Sequence, residues 1–210
     1  NPITNPVSTN TFSMNKNYMV CSYEPGETTE IRLRNVIDMG LAFSGMMRLY
    51  EKDTKKMLSD LIFHSIPEVF NTMSKKDFDK VHQEFCRQIF DQKLSLAKRA
   101  NAFASYGQIA KTFNVVLKVV VYYCHFPDCA KAEEISKWLH AAVDTKMMAR
   151  LRSYFPSNIT FWPKTIEDVN EETYGKIVEA VSKFIRENHD NRMIPVEFDD
   201  VYWRRWTRRN

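Results

Sequence analysis

The sequence predicts an all-α fold, a single domain of about seven helices packed around one central helix. Two observations predict it. Only five of the 210 residues are glycine. Since glycine supplies the tight turns of hairpin-rich β proteins, this shortage favours long helices. Apolar residues also recur at intervals of three and four residues over most of the chain, which places them on one face of an α-helix.

The central helix is expected at about residues 103–124. Its first part carries four polar residues at spacings of three and four, and the apolar run 119–124 follows. In a helix these polar residues form one stripe and leave the remaining faces for the core. We therefore expect a helix that is buried on most sides, with a polar stripe held inside the fold: Gln108, Lys111, Asn114 and Lys118.

The N-terminal residues differ in composition from the rest of the chain. Residues 1–27 are rich in Asn, Thr, Ser and Pro, which is typical of an irregular arm. The helical domain should cover 28–210, and its first helix should lie at about 29–50. Gly40 and Gly45 weaken this helix but allow a neighbouring helix to approach closely.

Prolines and capping residues define the limits of the later helices. Pro67 should follow the end of a helix at about 53–64, because proline disfavours helical backbone in the residue before it. Ser74 and Asp77 have capping-box spacing and should begin a helix that ends near Arg99. Asp128, Asp144 and Asn170 are expected to cap three further helices, the first two at about 129–142 and 145–154.

Composition excludes several classes of function. The chain contains neither G-x-G-x-x-G nor the P-loop sequence, so we expect no dinucleotide or P-loop cofactor. The longest apolar run is interrupted by Lys118 and is much shorter than the ~20 residues that cross a bilayer. No basic region followed by an apolar run opens the sequence. We therefore expect no signal peptide, no membrane attachment and a cytoplasmic location.

The cysteines favour neither disulfides nor a metal site. The chain has four of them: Cys21, Cys86, Cys124 and Cys129. None has C-x-x-C spacing, and a reducing compartment is the simpler setting. Zinc sites use tighter pairs of ligands than this chain offers. We expect free thiols, and no metal at the four potential ligands that lie nearest in sequence: Cys124, His125, Cys129 and His140.

The central segment also matches the apolar pattern of a helix-turn-helix. In that alternative Ala110 packs between two helices and Asn114 lies in the turn. Residues 115–117 are apolar, although a recognition helix needs exposed polar side chains there, so one continuous helix is favoured. Asn114 should then be buried and hydrogen-bonded to another segment, because an unpaired buried polar group costs about 1–3 kcal/mol.

His140 and Asp144 are weak candidates for a catalytic site. They lie four residues apart between two predicted helices, and a carboxylate that orients an imidazole is a common acid–base pair. The alternative, which we favour, is structural, with Asp144 as the cap of the next helix. No other catalytic motif is present, neither H-E-x-x-H nor a nucleophile elbow.

The C-terminal segment is the strongest signal for nucleic-acid binding. Residues 203–209 combine two tryptophans with four arginines, that is, aromatic faces for bases with guanidinium groups for phosphates. In the alternative interpretation the tryptophans pack on the domain and the arginines stay solvated. The predicted contacts are Arg204, Arg205, Arg208, Arg209 and Trp206, with Arg150, Arg152, Lys98 and Arg99 as auxiliary phosphate contacts.

Three segments together resemble a pattern found in uncharacterised bacterial helical proteins. They are residues 106–118, the His140–Asp144 segment, and residues 195–199 with Trp203 close behind. The chain departs from the pattern where a proline is expected between His140 and Asp144. No settled activity is associated with that group. The resemblance therefore implies a compact helical domain that ends near Trp203 and implies no reaction.

Three functions remain open at this point. The favoured one is a cytoplasmic bacterial or phage-associated protein that binds nucleic acid through a basic surface. The second is a protein-interaction or assembly subunit, which uses methionine and aromatic side chains at its interface. The third is an enzyme with His140 and Asp144 in a pocket beside the polar stripe. A continuous positive face would favour the first, an exposed apolar patch the second, and a cleft where His140 meets the stripe the third.

Overall fold

The computed structural model describes residues 25–97, 101–155, 162–190 and 192–207. As predicted, these residues form an all-α domain, and they contain eight α-helices and no β-strand. The helices are α1 (Pro25–Phe43), α2 (Lys52–Phe70), α3 (Lys75–Asp91), α4 (Tyr106–Leu117), α5 (Cys129–Ser136), α6 (Thr145–Tyr154), α7 (Glu171–His189) and α8 (Phe198–Thr207). Short 3₁₀ turns lie at Met46–Arg48, Ile166–Asp168 and Pro195–Glu197.

Helix α4 begins with a complete capping box. The Ser105 hydroxyl accepts a hydrogen bond from the Gln108 backbone N–H (3.2 Å), and the Gln108 side chain accepts one from the Ser105 N–H (3.0 Å). Ten of the twelve residues of α4 are buried, with α1, α3 and α7 packed against it. The helix then widens into a π-helix over Lys118–Tyr123. The continuous helix therefore covers 106–123, which excludes a helix-turn-helix in this segment.

Two glycines let neighbouring segments approach α4 closely. A Cβ atom at Gly40 of α1 would lie 2.8 Å from the Val116 Cα, and one at Gly107 would lie 2.5 Å from the Val169 Cβ. Both distances are shorter than van der Waals contact, so any larger residue would push the backbones apart. The close helix approach expected for the first helix is therefore present at Gly40.

Buried apolar side chains form two clusters. The first belongs mainly to α1–α5, with Ile37, Phe78 and Phe113 among its most buried members. The second is formed mainly by α6–α8 around Phe184. Tyr174 of α7 packs against both clusters. It therefore joins the two halves of the core.

The predicted caps are present. The side chains of Ser74, Asp128, Asp144 and Asn170 each accept a hydrogen bond from the backbone N–H three residues later. The start of α1 differs from the prediction, because it lies at Pro25 within the segment predicted to be an irregular arm. Proline is tolerated in a first helical turn, where its missing N–H would have no partner. The rest of that arm, residues 1–24, lies outside the described residues.

Other helix ends also differ from the prediction. Helix α1 ends at Phe43 instead of near residue 50, because Gly45 after it has a positive φ of 68°. Helix α2 continues through Pro67 to Phe70, because Ile66 and Val69 are fully buried and their packing outweighs one lost backbone hydrogen bond. Helix α3 ends at Asp91 instead of near residue 99. The chain after it forms isolated β-bridges, in which Leu96 pairs with Tyr50.

The later part of the chain holds one helix more than predicted. Helix α5 ends at Ser136 instead of about residue 142, and the carbonyl of Ala141 accepts a hydrogen bond from the Asn114 side chain. The eighth helix, α8, occupies the tail for which no helix was predicted. No helix within the described ranges is both long and apolar enough to cross a bilayer.

Candidate functional site

The polar stripe of α4 does not converge on one site. Gln108 caps the helix, and its Nε2 atom has no hydrogen-bond partner in the described part of the chain. Asn114 lies in a buried polar network, whereas Lys111 and Lys118 line an open groove. The stripe therefore contributes to two separate places, the buried network and the open groove.

Six side chains from α3, α4, α7 and the segment after α5 form the buried network: Asp79, His82, Cys86, Asn114, His140 and Tyr174. At its centre His82 Nε2 donates to Asn114 Oδ1 (2.7 Å). Asn114 Nδ2 donates to the Tyr174 hydroxyl (3.0 Å) and to the Ala141 carbonyl (3.1 Å). Asn114 is 2% exposed, so the expectation that it is buried and bonded to other segments is confirmed.

The network continues outward to a carboxylate. The Tyr174 hydroxyl donates to His140 Nδ1 (2.9 Å), and His140 Nε2 donates to Asp79 Oδ1 (2.8 Å). The Lys75 ammonium donates to the same carboxylate (2.7 Å). Because the Asn114 amide is already a donor to the Tyr174 oxygen, the hydroxyl proton is directed at His140. These roles fix the His140 proton on Nε2 and the His82 proton on Nε2 as well.

Burial keeps both imidazoles neutral. Burial, with a smaller contribution from the neighbouring His140, lowers the pKa of His82 to about 3. Burial also lowers the pKa of His140, against the opposing effect of Asp79. At Asp79 burial raises the pKa, but hydrogen bonds from His140 and Lys75 outweigh it and leave the pKa below its usual value. Burial raises the pKa of Tyr174 well above 10. At neutral pH the network therefore holds one carboxylate, two neutral imidazoles and a neutral phenol.

Protein groups occupy the hydrogen-bonding positions of both imidazoles in the network. The second nitrogen of His82 faces the Cys86 thiol at 3.8 Å, so both nitrogens of each histidine have protein partners. A general base needs a free lone pair that a substrate proton can reach. Asp79, with 43% of its side chain exposed, is the most accessible member in the surface groove between α3 and α7, which His82, His140 and Tyr174 also line.

The predicted pair of His140 and Asp144 is not formed. The carboxylate partner of His140 is Asp79, on α3. Asp144 instead caps α6, where its Oδ1 accepts from the Met147 N–H (2.9 Å). Its Oδ2 accepts from Trp203 Nε1 (3.0 Å). His140 does meet the polar stripe: it is bonded to Asn114 through Tyr174, and it lines a small cavity of about 20 Å³ together with Lys111 and Asn114.

The second place is an open groove of about 530 Å³, which we call the α8 groove. The turn after α1, helix α4 with its π-helical extension, and the first turns of α8 form its walls. Charged side chains of both signs line it: Arg48, Lys111, Lys118, Asp144, Asp199 and Asp200. The three positive and three negative groups balance, so the groove as a whole is neutral.

Two carboxylates of the α8 groove hold aromatic rings in place. Asp144 accepts from the Trp203 indole, and Asp200 accepts from the Tyr123 hydroxyl (2.7 Å). Trp203 and Tyr123 are 50% and 51% exposed, and Phe43 at the opposite rim is 71% exposed. Three exposed aromatic side chains therefore surround the groove, and the polar tips of two of them are fixed.

The two lysines of the α8 groove differ in their partners. The Lys118 ammonium donates to Asp199 (2.8 Å) and Asp200 (2.6 Å), and its side chain is 5% exposed. Burial raises the pKa of Asp199, against the opposing effect of Lys118. Lys111 makes no hydrogen bond or ion pair with any described residue. Burial lowers its pKa, while Asp144 and Asp199 act in the opposite direction.

The described residues include only some of those predicted to form the basic surface. Arg150 and Arg152 lie on α6, and Arg204 and Arg205 lie on α8, which packs against α6. All four side chains are exposed, and none forms an ion pair within the described ranges. The other predicted contacts lie outside the described residues: Lys98, Arg99, Arg208 and Arg209.

The two C-terminal tryptophans have different environments. Trp206 is half-buried against Tyr202 (ring centroids 4.7 Å apart) and Phe198 (5.5 Å). This places it on the apolar cluster, so it does not present the stacking face that was predicted. Trp203 is the one that is half-exposed. The aromatic candidate for a base contact is therefore Trp203.

The four potential metal ligands, for which no site was expected, are Cys124, His125, Cys129 and His140. Both nitrogens of His140 form hydrogen bonds within the buried network, and neither nitrogen bonds to Cys124 or Cys129. No cluster of three or more potential ligands able to hold a metal occurs in the described part of the chain. Cys86, Cys124 and Cys129 are free thiols, and Cys21 lies outside the described residues.

The sequence did not indicate several residues of the buried network and of the α8 groove. Asp79 and His82 lie three residues apart on the same face of α3, and Tyr174 was taken as an ordinary apolar position of α7. This spacing does not identify their hydrogen-bond partners, because the partners come from distant segments. The acidic pair Asp199 and Asp200 follows an apolar residue at a helix start, which is an available but weak signal.

The three segments of the noted resemblance meet at the α8 groove. Lys118 of the first segment pairs with Asp199 of the third. Asp144 of the second accepts the hydrogen bond of Trp203. Comparison with protein-family models, curated proteins and solved structures gives no match for this chain. Its function must therefore be argued from the groove and from the charged surface beside it.

Proposed function

We propose that this protein binds nucleic acid through the exposed face of α6 and α8. The observation that carries the proposal is the set of four exposed guanidinium groups on these packed helices, none of which has an acidic partner among the described residues: Arg150, Arg152, Arg204 and Arg205. Arginines that are not neutralised by the protein are available for phosphates, which they contact with two parallel hydrogen bonds.

The arrangement of opposite charges favours the same face. The acidic residues at the start of α8, Asp199 and Asp200, are engaged by Lys118 and Tyr123. The arginines lie one turn further along the helix. Cations in the last turn of a helix also oppose its dipole, which stabilises α8 without an acidic partner. The arginines therefore form no ion pair with the acidic residues of the same helix, whose carboxylates are already bonded to Lys118 and Tyr123.

The test is the salt dependence of binding. A fluorescent single-stranded oligonucleotide is titrated with the parent protein and with the double variant Arg204→Ala/Arg205→Ala at several salt concentrations. Each lost phosphate contact lowers the slope of log affinity against log salt by roughly 0.7–0.9. The double variant should therefore bind more weakly, with a slope smaller by roughly 1.4–1.8.

A charge-matched control separates a specific face from net charge. Lys56 on α2 and Lys137 after α5 are exposed and form no ion pair within the described ranges. The double variant Lys56→Ala/Lys137→Ala loses the same charge and should keep the parent slope. Equal slopes for all three proteins, or no binding by the parent at low salt, would reject the proposal.

A further inference from the structure

We call the exposed surface of α6 and α8 that carries Arg150, Arg152, Arg204 and Arg205 the arginine face. The α8 groove suits a different kind of ligand from the arginine face. Its charges balance, and its acidic residues are already used to hold Lys118, Trp203 and Tyr123. A neutral groove with aromatic walls has little attraction for a phosphate but suits a flat, polar ring. Stacking on an aromatic side chain stabilises any nucleobase, because every base has a π-face.

We propose that the α8 groove takes an unpaired nucleobase from a single-stranded nucleic acid, with Trp203 as the stacking surface. This inference rests on the proposed binding by α6 and α8 and specifies its substrate as single-stranded. Trp203 immediately precedes Arg204 and Arg205 on α8. A strand whose phosphates contact these arginines is therefore held at the same helix that carries the aromatic ring of the groove.

The stacking surface is held in position before any ligand arrives. The hydrogen bond from Trp203 Nε1 to Asp144 fixes the indole, and Asp144 is itself fixed as the cap of α6. Tyr123 is fixed in the same way by Asp200. Because these rings are already ordered, binding a base loses little side-chain entropy at the site.

The groove also offers polar groups to the edge of a base. The Lys111 ammonium has no partner among the described residues, and it is a donor that can reach a carbonyl oxygen or ring nitrogen. A duplex keeps its bases paired and stacked, so only an unpaired base can enter a groove of this size.

The experiment compares three probes of equal charge per strand: a 12-nucleotide thymidine strand, an abasic strand of the same length, and the 12-base-pair duplex. The parent should bind the thymidine strand about tenfold more tightly than the abasic strand, which is within the range expected for stacking of one or two bases. Trp203→Ala should remove this difference and leave abasic and duplex binding unchanged. Trp203→Phe keeps a stacking ring and should retain most of the preference.

The matched control is Phe103→Ala, since Phe103 is 49% exposed, close to the value for Trp203, and does not line the groove. It should behave like the parent. Equal binding of thymidine and abasic strands by the parent would overturn the base site and leave the arginine face intact. Failure to bind any of the three probes would reject the proposed function itself. If free thymidine monophosphate competed as well as the strand, the groove would be a mononucleotide site and the strand assignment would be wrong.

Discussion

The buried network and the α8 groove use the same helix in opposite ways. In the network, Asn114 gives all its hydrogen bonds to protein groups, and a continuous series of hydrogen bonds runs from His82 through Asn114, Tyr174 and His140 to Asp79. In the groove, three residues earlier on α4, Lys111 has no partner among the described residues. The acidic side chains there hold aromatic rings at the surface.

The number of hydrogen bonds already made within the protein suggests different roles for the two regions. We expect a structural role for the network and propose a binding role for the groove, although the residue types alone would suggest the reverse. Histidine, tyrosine and aspartate together are typical of catalytic sites, yet here the two histidines are buried and both nitrogens of each have protein partners. A satisfied buried network makes a core rigid and specific. The groove has fewer reactive groups, but it has exposed rings and an available donor. We therefore expect substitutions in the network to change stability and those in the groove to change binding.

The largest expected effect is that of Asn114→Ala. The substitution strands the His82 N–H and the Ala141 carbonyl and removes a donor from Tyr174, at about 1–3 kcal/mol for each buried group. We expect the free energy of unfolding to fall by about 4 kcal/mol in urea titrations. Lys111→Ala, on the same helix, should change it by less than about 1 kcal/mol. Similar losses for both variants would remove the distinction between network and groove.

The pH dependence of stability should come from the network. The pKa of His82 is about 3 in the folded protein, against about 6.5 for an unfolded histidine. Between these values the unfolded chain binds a proton that the folded chain does not. The free energy of unfolding should therefore fall as pH falls below about 6.5, by up to about 1.4 kcal/mol per pH unit.

This contribution can be isolated with His82→Gln. The variant should be less stable throughout, but its loss of stability between pH 7 and pH 5 should be smaller than that of the parent. His64→Gln is the control, because His64 is exposed on α2 and its replacement should leave the parent slope unchanged. If the His82→Gln slope matched the parent slope, His82 would not be held neutral in the fold.

The helices and their caps were predictable from the sequence, but neither the buried network nor the α8 groove was. Caps such as Ser74 and Asn170 act within three residues, and helical periodicity is equally local, so the all-α class and most helix starts follow from short segments. The exceptions have non-local causes. Pro67 lies inside α2 because Ile66 and Val69 are buried by other helices, which no local rule contains.

The sites depend on contacts between distant segments. The partners of Asn114 lie 27, 32 and 60 residues away, and those of Lys118 lie 81 and 82 residues away. Helical spacing could indicate that these two polar residues need partners inside the fold, but it could not identify them. The same limit explains the mistaken pairing of His140 with Asp144, which are close in sequence but bonded to different helices.

The smallest effects come from removing one hydroxyl in each place. Tyr174→Phe takes a hydroxyl from the centre of the network, where it accepts from Asn114 and donates to His140. We expect a loss of about 1.5 kcal/mol, near the upper end for one hydrogen bond, because both partners remain buried.

Tyr123→Phe removes a hydroxyl that is bonded to Asp200 at the rim of the groove. Lys118 still neutralises that carboxylate, and water replaces the hydroxyl, so the free energy of unfolding should change by less than about 0.5 kcal/mol. Urea titrations of the two variants at pH 7 measure both effects. A larger loss for Tyr123→Phe than for Tyr174→Phe would show that the groove, and not the network, carries the stability of this domain.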